Sequence, residues 1–234
     1  MKVSILIPAY NEIRTIGQVL DRLQSLPLEF EVVVVDDGSA DGTYDFVASA
    51  IKEKRYWFPV KLEKHALNSG KGAAIITAIG AASGDILVVQ DADLEYDPIH
   101  IPLVVAPIAQ GRAEVCFGSR MLGGKAGTYS VIYLWGNLFL TWLTNALCGS
   151  HYTDSYTCYK AFKKEVIQGL ALTSRGFEIE GELSVKLALG GYKYEEVPIA
   201  YIPRSRKDGK KINGRDAVKG ILTIIRTWWR AKHA

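Results

Sequence analysis

Hydrophobic positions along this chain fall into short unbroken runs separated by longer stretches of helical spacing. Residues 3–8, 30–35 and 85–90 are dominated by apolar, mostly β-branched side chains, as strands buried on both faces of a sheet are, and 60–63 reads as a brief third strand. Between them, residues 15–26 and 41–54 carry amphipathic helical spacing, and 71–83 is an alanine-rich helix after a glycine-containing turn. This strand–helix alternation predicts an α/β fold, a mostly parallel sheet with helices on both faces. Residues 113–119 and 156–162 read as further strands and 194–202 as a last extended segment. Residues 180–189 read as a helix starting among Glu178, Glu180 and Glu182, acids that the helix dipole favours there.

The pattern changes after Gly123-Gly124. Residues 130–149 are nearly continuous apolar and aromatic, with Tyr133, Trp135, Phe139 and Trp142. A spanning helix needs about 20 such residues, but Asn137, Thr141, Thr144 and Asn145 interrupt this one. A helix in the membrane interface, or one lining a lipid-tail groove, is the reading preferred; a plain core helix is the alternative. Residues 204–211 are basic. A final helix over 216–230 sets Trp228 and Trp229 beside Arg226, Arg230 and Lys232, which suits a bilayer interface or a packed helix with a wet basic face.

Composition narrows the class. With 234 residues, 48% hydrophobic and 23% charged, the chain is an ordinary folded protein, not a disordered one. Net charge is +3, yet residues 1–120 balance at −5 and residues 121–234 at +8, with ten basic and two acidic side chains in the last 32. A basic tail on an acidic half calls for an anionic partner: nucleic acid, phosphate or a lipid surface. Met1 leads straight into a strand with no apolar signal segment, so a cytosolic active face is expected. Cys116, Cys148 and Cys158 have no metal-ligand spacing and read as reduced, mostly buried thiols.

The candidate chemistry lies where the apolar runs stop. The fourth strand ends at Asp91, Asp93 and Glu95, spaced two apart, with Pro98 closing the segment. Such carboxylates repel one another unless a cation sits among them, and hard oxygen ligands suit Mg²⁺ or Mn²⁺ bridging to substrate phosphates. A solvated acidic loop capping the next helix is the plain alternative. In parallel α/β sheets ligands gather beyond the carboxyl ends of the strands, where residues 8–12, 36–39 and 91–95 all fall. Asn68-Ser69-Gly70-Lys71-Gly72 is no P-loop, because Gly72 stands where Ser or Thr should bind the metal, and no G-x-G-x-x-G follows the first strand. A nucleic-acid-binding module would leave the acidic cluster unexplained, and no nucleic-acid partner is expected.

Together Ile7-Pro8-Ala9-Tyr10-Asn11-Glu12, Val35-Asp36-Asp37-Gly38-Ser39, Asn68-Ser69-Gly70-Lys71-Gly72 and Asp91-Ala92-Asp93 resemble the family 2 glycosyltransferases of the GT-A fold. Gly118-Ser119-Arg120, Asp154-Ser155-Tyr156, Cys158-Tyr159-Lys160, Glu195 with Val197-Pro198, and residues 204–211 are similar to its dolichol-phosphate mannosyltransferase branch. That resemblance runs almost end to end. It implies a hexosyltransferase in which Pro8, Ala9, Tyr10, Glu12, Val35, Asp37 and Lys71 hold the nucleotide sugar. Asp91, Ala92 and Asp93 would meet the sugar diphosphate, with Asp91, Asp93 and Glu95 around Mg²⁺ or Mn²⁺. Many relatives have Gln at the position of Glu95. Arg120, Arg204 and Lys210 would grip the diphosphate and the acceptor phosphate, and Asp93, Arg120 and Arg204 are the implied catalytic set.

The implied partners are a nucleoside-diphosphate sugar, GDP-mannose before UDP-glucose, a polyprenyl or dolichyl phosphate, and a membrane surface, with a membrane-anchoring protein as a further possibility. The organisation expected is a catalytic domain over 1–203, with a nucleotide-sugar half (1–120) and an acceptor half (121–203). A basic loop and amphipathic helix over 204–234 would follow, peripheral on the cytosolic face of a membrane. The rival within the family transfers to a sugar hydroxyl in glycan or polysaccharide synthesis. That acceptor needs a base, for which Asp154, Glu180 and Glu182 are the candidates.

Overall fold

The computed structural model describes residues 1–123, 131–204 and 214–233. The first half alternates as predicted: β1 (Val3–Ala9), α1 (Ile16–Leu23), β2 (Phe30–Asp36), α2 (Thr43–Lys52), β3 (Val60–Lys64), α3 (Lys71–Ala81) and β4 (Ile86–Val89). There follow α4 (Ile101–Ala109), β5 (Val115–Ser119), α5 (Val131–Cys148), β6 (Lys160–Lys163), α6 (Lys164–Gly169), α7 (Ile179–Leu189), β7 (Tyr194–Pro198) and α8 (Gly214–His233).

Seven strands form one sheet in the order β3-β2-β1-β4-β6-β5-β7, parallel except for β6, which runs antiparallel between β4 and β5. Alternate residues of each central strand enter opposite cores. Ile5, Ile7, Val32, Val34, Ile86 and Val88 meet α1, α2 and α4, while Leu6, Val33, Val35, Leu87 and Val89 meet α3, α6 and α7. Runs with no polar face are therefore what this sheet demands, each fully buried Val, Leu or Ile being worth roughly 1.5–3 kcal/mol.

Two features depart from the pattern. The strand expected over 156–162 is shorter and shifted, because Asp154 to Thr157 makes a turn whose Asp154 side chain is engaged elsewhere. Helix α4 was not foreseen: Pro102 falls in its first turn, where the missing N–H costs nothing, but Pro107 lies inside it and removes an i→i−4 bond.

A third apolar cluster joins Leu140 of α5, Val185 of α7 and Ile224 of α8. The outer faces of α5 and α8 keep Trp135, Phe139, Trp142, Val218, Leu222, Ile225 and Trp229 exposed. Among the described residues no helix is long and apolar enough to cross a membrane. The cysteines are free thiols, Cys116 buried and the other two half-buried.

Candidate active site

Register places the site. Pro8 and Ala9 at the end of β1 lie beside Val35 and Asp36 at the end of β2, and Asp37 N–H donates to the Ala9 carbonyl at 2.8 Å. Strand β4 stops three residues short of β1, with Val89 opposite Leu6, so the chain turns at Asp91 into the crevice in front of the sheet. Val35 has its side chain wholly in the core, leaving only its backbone to face a ligand.

Several short bonds fix the loops. Asn11 donates its N–H to Ser39 Oγ and accepts from Ala40 N–H, both at 2.9 Å, stitching the β1 loop to the β2 loop. Asp37 accepts the N–H groups of Ser69 and Gly70 at 2.9 and 2.8 Å and pairs with His65 Nδ1 at 2.6 Å. Its carboxylate thereby holds the turn that presents Lys71. Gln90 is wholly buried and donates to the carbonyls of Asp91 and Tyr96, both 3.0 Å away, tying the two ends of the acidic loop. Between Asp93 and Glu95, Leu94 adopts φ 62°, a left-handed conformation costing a bulky side chain roughly 1–2 kcal/mol. That turn keeps Leu94 against the core and both carboxylates on the crevice side.

Most of the expected residues converge there. Arg204 makes a two-pronged contact with Glu12, at 3.0 and 3.1 Å, and reaches Asp93 Oδ2 at 2.8 Å. Its N–H donates to Glu95 Oε1 at 2.7 Å, and Tyr201 donates its hydroxyl to Glu95 Oε2 at 2.8 Å. Lys71 Nζ lies 2.7 Å from Asp91 Oδ1 and 3.5 Å from Glu180 Oε1, while Lys160 donates to the other Glu180 oxygen. Arg120 stands slightly apart, clamped by Asp154 at 2.7 and 2.8 Å and stacked 5.2 Å over the Tyr201 ring. Lys210 lies outside the described residues.

The linked groups are Glu12, Asp91, Asp93, Glu95 and Glu180 against Lys71, Lys160 and Arg204: among the described residues, five carboxylates to three cations. Burial, then the charges of Asp91 and Glu95, push the Asp93 carboxyl up to about 7 despite Arg204. Burial works against Asp91 also, but Lys71 holds it below the usual carboxylate range. Lys71 is raised well above an ordinary lysine by Asp91, Cys158 and Glu180, which outweigh its burial. The all-oxygen donor set fits Mg²⁺ or Mn²⁺. Among the described residues, however, no three His, Cys, Asp or Glu side chains form a ready-made cage, and the acids face protein cations instead.

The bases proposed for a hydroxyl acceptor are all engaged. Asp154 serves Arg120 and Asn137, Glu180 sits between two lysines, and Glu182 accepts from Thr173, Ser174 and Lys186. Sequence reasoning gave no site role to Gln90, Lys160 or Tyr201. Lys160 stood in the Cys158-Tyr159-Lys160 motif, but a single basic residue opening a strand is a weak signal of a site role.

The sequence profile of "Glycosyl transferase family 2" matches residues 4–170. The chain belongs to that family. A dolichol-phosphate mannosyltransferase of Pyrococcus furiosus is 32% identical over 97% of this chain, which spans 63% of that relative's length. An undecaprenyl-phosphate mannosyltransferase of Micrococcus luteus is 29% identical over 98% of this chain and 94% of its own. A mannosyl-3-phosphoglycerate synthase from Rubrobacter xylanophilus shares the fold, with TM-score 0.71 and 21% identity over 98% of this chain and 73% of that one. So does a Pyrobaculum calidifontis mannosyltransferase solved with GDP-Man and Mn²⁺, at TM-score 0.60 and 18% identity over 98% and 73%. The family 2 resemblance and the GT-A-like architecture expected from the motifs are thus both met.

Proposed function

We propose that this family 2 glycosyltransferase moves a hexose from a nucleoside-diphosphate sugar, GDP-mannose before UDP-glucose, to a polyprenyl phosphate. One observation carries the reading: a carboxylate cluster at the strand ends whose Glu95 bonds Tyr201, the ring of which stacks on Arg120, itself one hydrogen-bonded step from an apolar helix. That step is Asn137 of α5, which donates to Asp154 at 2.9 Å and accepts from Arg120 at 3.2 Å. The two mannosyltransferase relatives support the lipid-phosphate class.

In a single inverting displacement, an acceptor phosphate oxygen attacks C1 of the sugar and the nucleoside diphosphate leaves. The second pKa of a phosphate monoester is about 6, so the nucleophile is ionised at neutral pH and needs no protein base. Mg²⁺ or Mn²⁺, held by Asp91, Asp93 and Glu95, would stabilise charge on the leaving diphosphate. The protein's own part is to bind and orient. Arg204 gives up Asp93 to meet a phosphate while Glu12 keeps its guanidinium aimed. Arg120, fixed by Asp154, lends its charge to the same crevice.

The exposed aromatic faces of α5 and α8, with Lys219, Arg226 and Arg230 exposed on α8, suit a peripheral seat on a membrane's cytosolic side. A separate anchoring protein has no observation in its favour. A hydroxyl acceptor draws on one observation, the Asp93 carboxyl at about 7, which suits a general base.

The test supplies purified protein with each donor, a short polyprenyl phosphate, and Mn²⁺ or Mg²⁺. Metal-dependent lipid-linked product is expected; donor binding with transfer to a glycan hydroxyl instead would favour the second reading. Asp93→Ala should abolish turnover with circular dichroism unchanged. Near-normal activity and unaltered nucleotide affinity in that variant would sink the metal assignment.

A further inference from the structure

We infer that Lys71 is a displaceable counter-ion for Asp91, kept in the site by Glu180, which positions it. A divalent cation takes Asp91 from Lys71, and Lys71, still balanced by Glu180, turns to a phosphate oxygen of the donor. This rests on the metal–diphosphate reading above and adds Glu180 to it as a positioning residue.

The geometry argues for exchange rather than a fixed bridge. Lys71 is the first residue of α3, and its backbone is pinned on both sides. Asp37 holds the N–H groups of Ser69 and Gly70, and Ala73 N–H donates to the Arg175 carbonyl at 3.0 Å. Only the Lys71 side chain can swing, and its ammonium has two anions in reach: Asp91 at 2.7 Å and Glu180 at 3.5 Å. Glu180 cannot follow it, because Lys160, 1% exposed, holds its second oxygen and also donates to the Thr157 carbonyl.

The segment before α7 locks the two halves together. A Cβ on Gly72 would come 2.3 Å from the Ser174 carbonyl, so the start of α3 and the approach to Glu180 sit in backbone contact. A buried ammonium stripped of its only partner is costly. With Glu180 at hand, Asp91 can leave Lys71 without stranding that charge. What Lys71 then lacks is a second anion, and a donor diphosphate entering beside Asp91 provides one.

The experiment measures Mn²⁺ binding by electron paramagnetic resonance, without nucleotide and with GDP or UDP, in wild type, Lys71→Met and Glu180→Gln. Without its competitor, Lys71→Met should bind Mn²⁺ about fivefold more tightly in the absence of nucleotide, yet lose affinity for the nucleoside diphosphate when Mn²⁺ is present. Glu180→Gln should act in the opposite sense on Mn²⁺, since Lys71 must then lean wholly on Asp91. Melting curves confirm that each variant is folded, and either one alone can decide. Mn²⁺ affinity unchanged or weaker in Lys71→Met, or unchanged or stronger in Glu180→Gln, would make the contact a static ion pair and overturn the inference. Wild-type protein that binds no Mn²⁺, with or without nucleotide, would overturn the metal reading itself and this inference with it.

Discussion

Glu31 is the residue whose chemistry the sequence conceals most. It interrupts an otherwise apolar strand, opposite Ser4 on β1, and is only 1% exposed. Ser83 donates its N–H at 2.6 Å and its hydroxyl at 2.8 Å, Ser4 its hydroxyl at 2.8 Å, and Lys2 its ammonium at 3.0 Å. Burial alone would raise this carboxyl, but those donors bring it from 4.5 down to about 2. A folded pKa below the unfolded one means stability fully present above about pH 4.5 and lost as pH falls toward 2. The shift corresponds to about 3 kcal/mol. Glu31→Gln should therefore lower stability at pH 7 by about 2–3 kcal/mol and flatten the acid limb of a urea-denaturation series. An acid limb as steep as wild type would refute that role. The same limit on local reasoning applies at Asp37 and Arg120. Their motifs mark them for the site, but only the fold shows that Asp37 steadies the turn before Lys71 and that Asp154 claims Arg120.

Among the elements, α3 joins site and scaffold. Its first turn abuts residues 174–176, where Gly72 leaves no room for a side chain. Gly72→Ala should cost about 1–3 kcal/mol by forcing the two backbones apart, lowering the melting temperature by roughly 2–4 °C per kcal/mol in a chain this size. Gly80, near the other end of α3, is exposed and has nothing within 4 Å of an added Cβ. Gly80→Ala should stabilise by about 0.5–1 kcal/mol through helix propensity alone. Differential scanning calorimetry of the pair checks both signs; equal effects would mean that the two backbones do not abut at Gly72. Helices α1 and α2 were legible from one apolar face, α3 from its alanines and α7 from the acids at its start. Helix α4 was not, since two prolines in nine residues oppose a helix locally, and only burial of Ile101, Val104, Val105 and Ile108 in the packed core overrides them. The antiparallel course of β6 was equally hidden, because a strand buried on both faces looks alike in either direction.

Across the whole molecule, Arg120 links the acidic crevice to the apolar helices, stacking over Tyr201 on one side and donating to Asn137 of α5 on the other. Helix α8 packs Gly220 and Ile224 inward and leaves Val218, Leu222, Ile225 and Trp229 outward. Cosedimentation with vesicles containing anionic phospholipid should show binding that weakens with salt. Trp135→Ser with Trp229→Ser should reduce it through lost apolar contact, and Lys219→Ala with Arg230→Ala by about 2 kcal/mol at low salt. Binding unchanged in both pairs would remove the membrane role from these faces. The resemblance carried by the motifs at the strand ends named the family, while the alternating pattern and the apolar strand runs ending in acids were enough to determine an α/β sheet and the edge where ligands are expected. Those features rest on side-chain periodicity and on the rule that parallel strands expose their carboxyl ends to ligands. Which acid meets which cation was decided only in three dimensions. Glu12 and Arg204 are 192 residues apart, and Lys71 and Glu180 come from helices on separate stretches of chain. Ion pairing depends on distance across the crevice, and no local pattern encodes a distance that only the packed sheet creates.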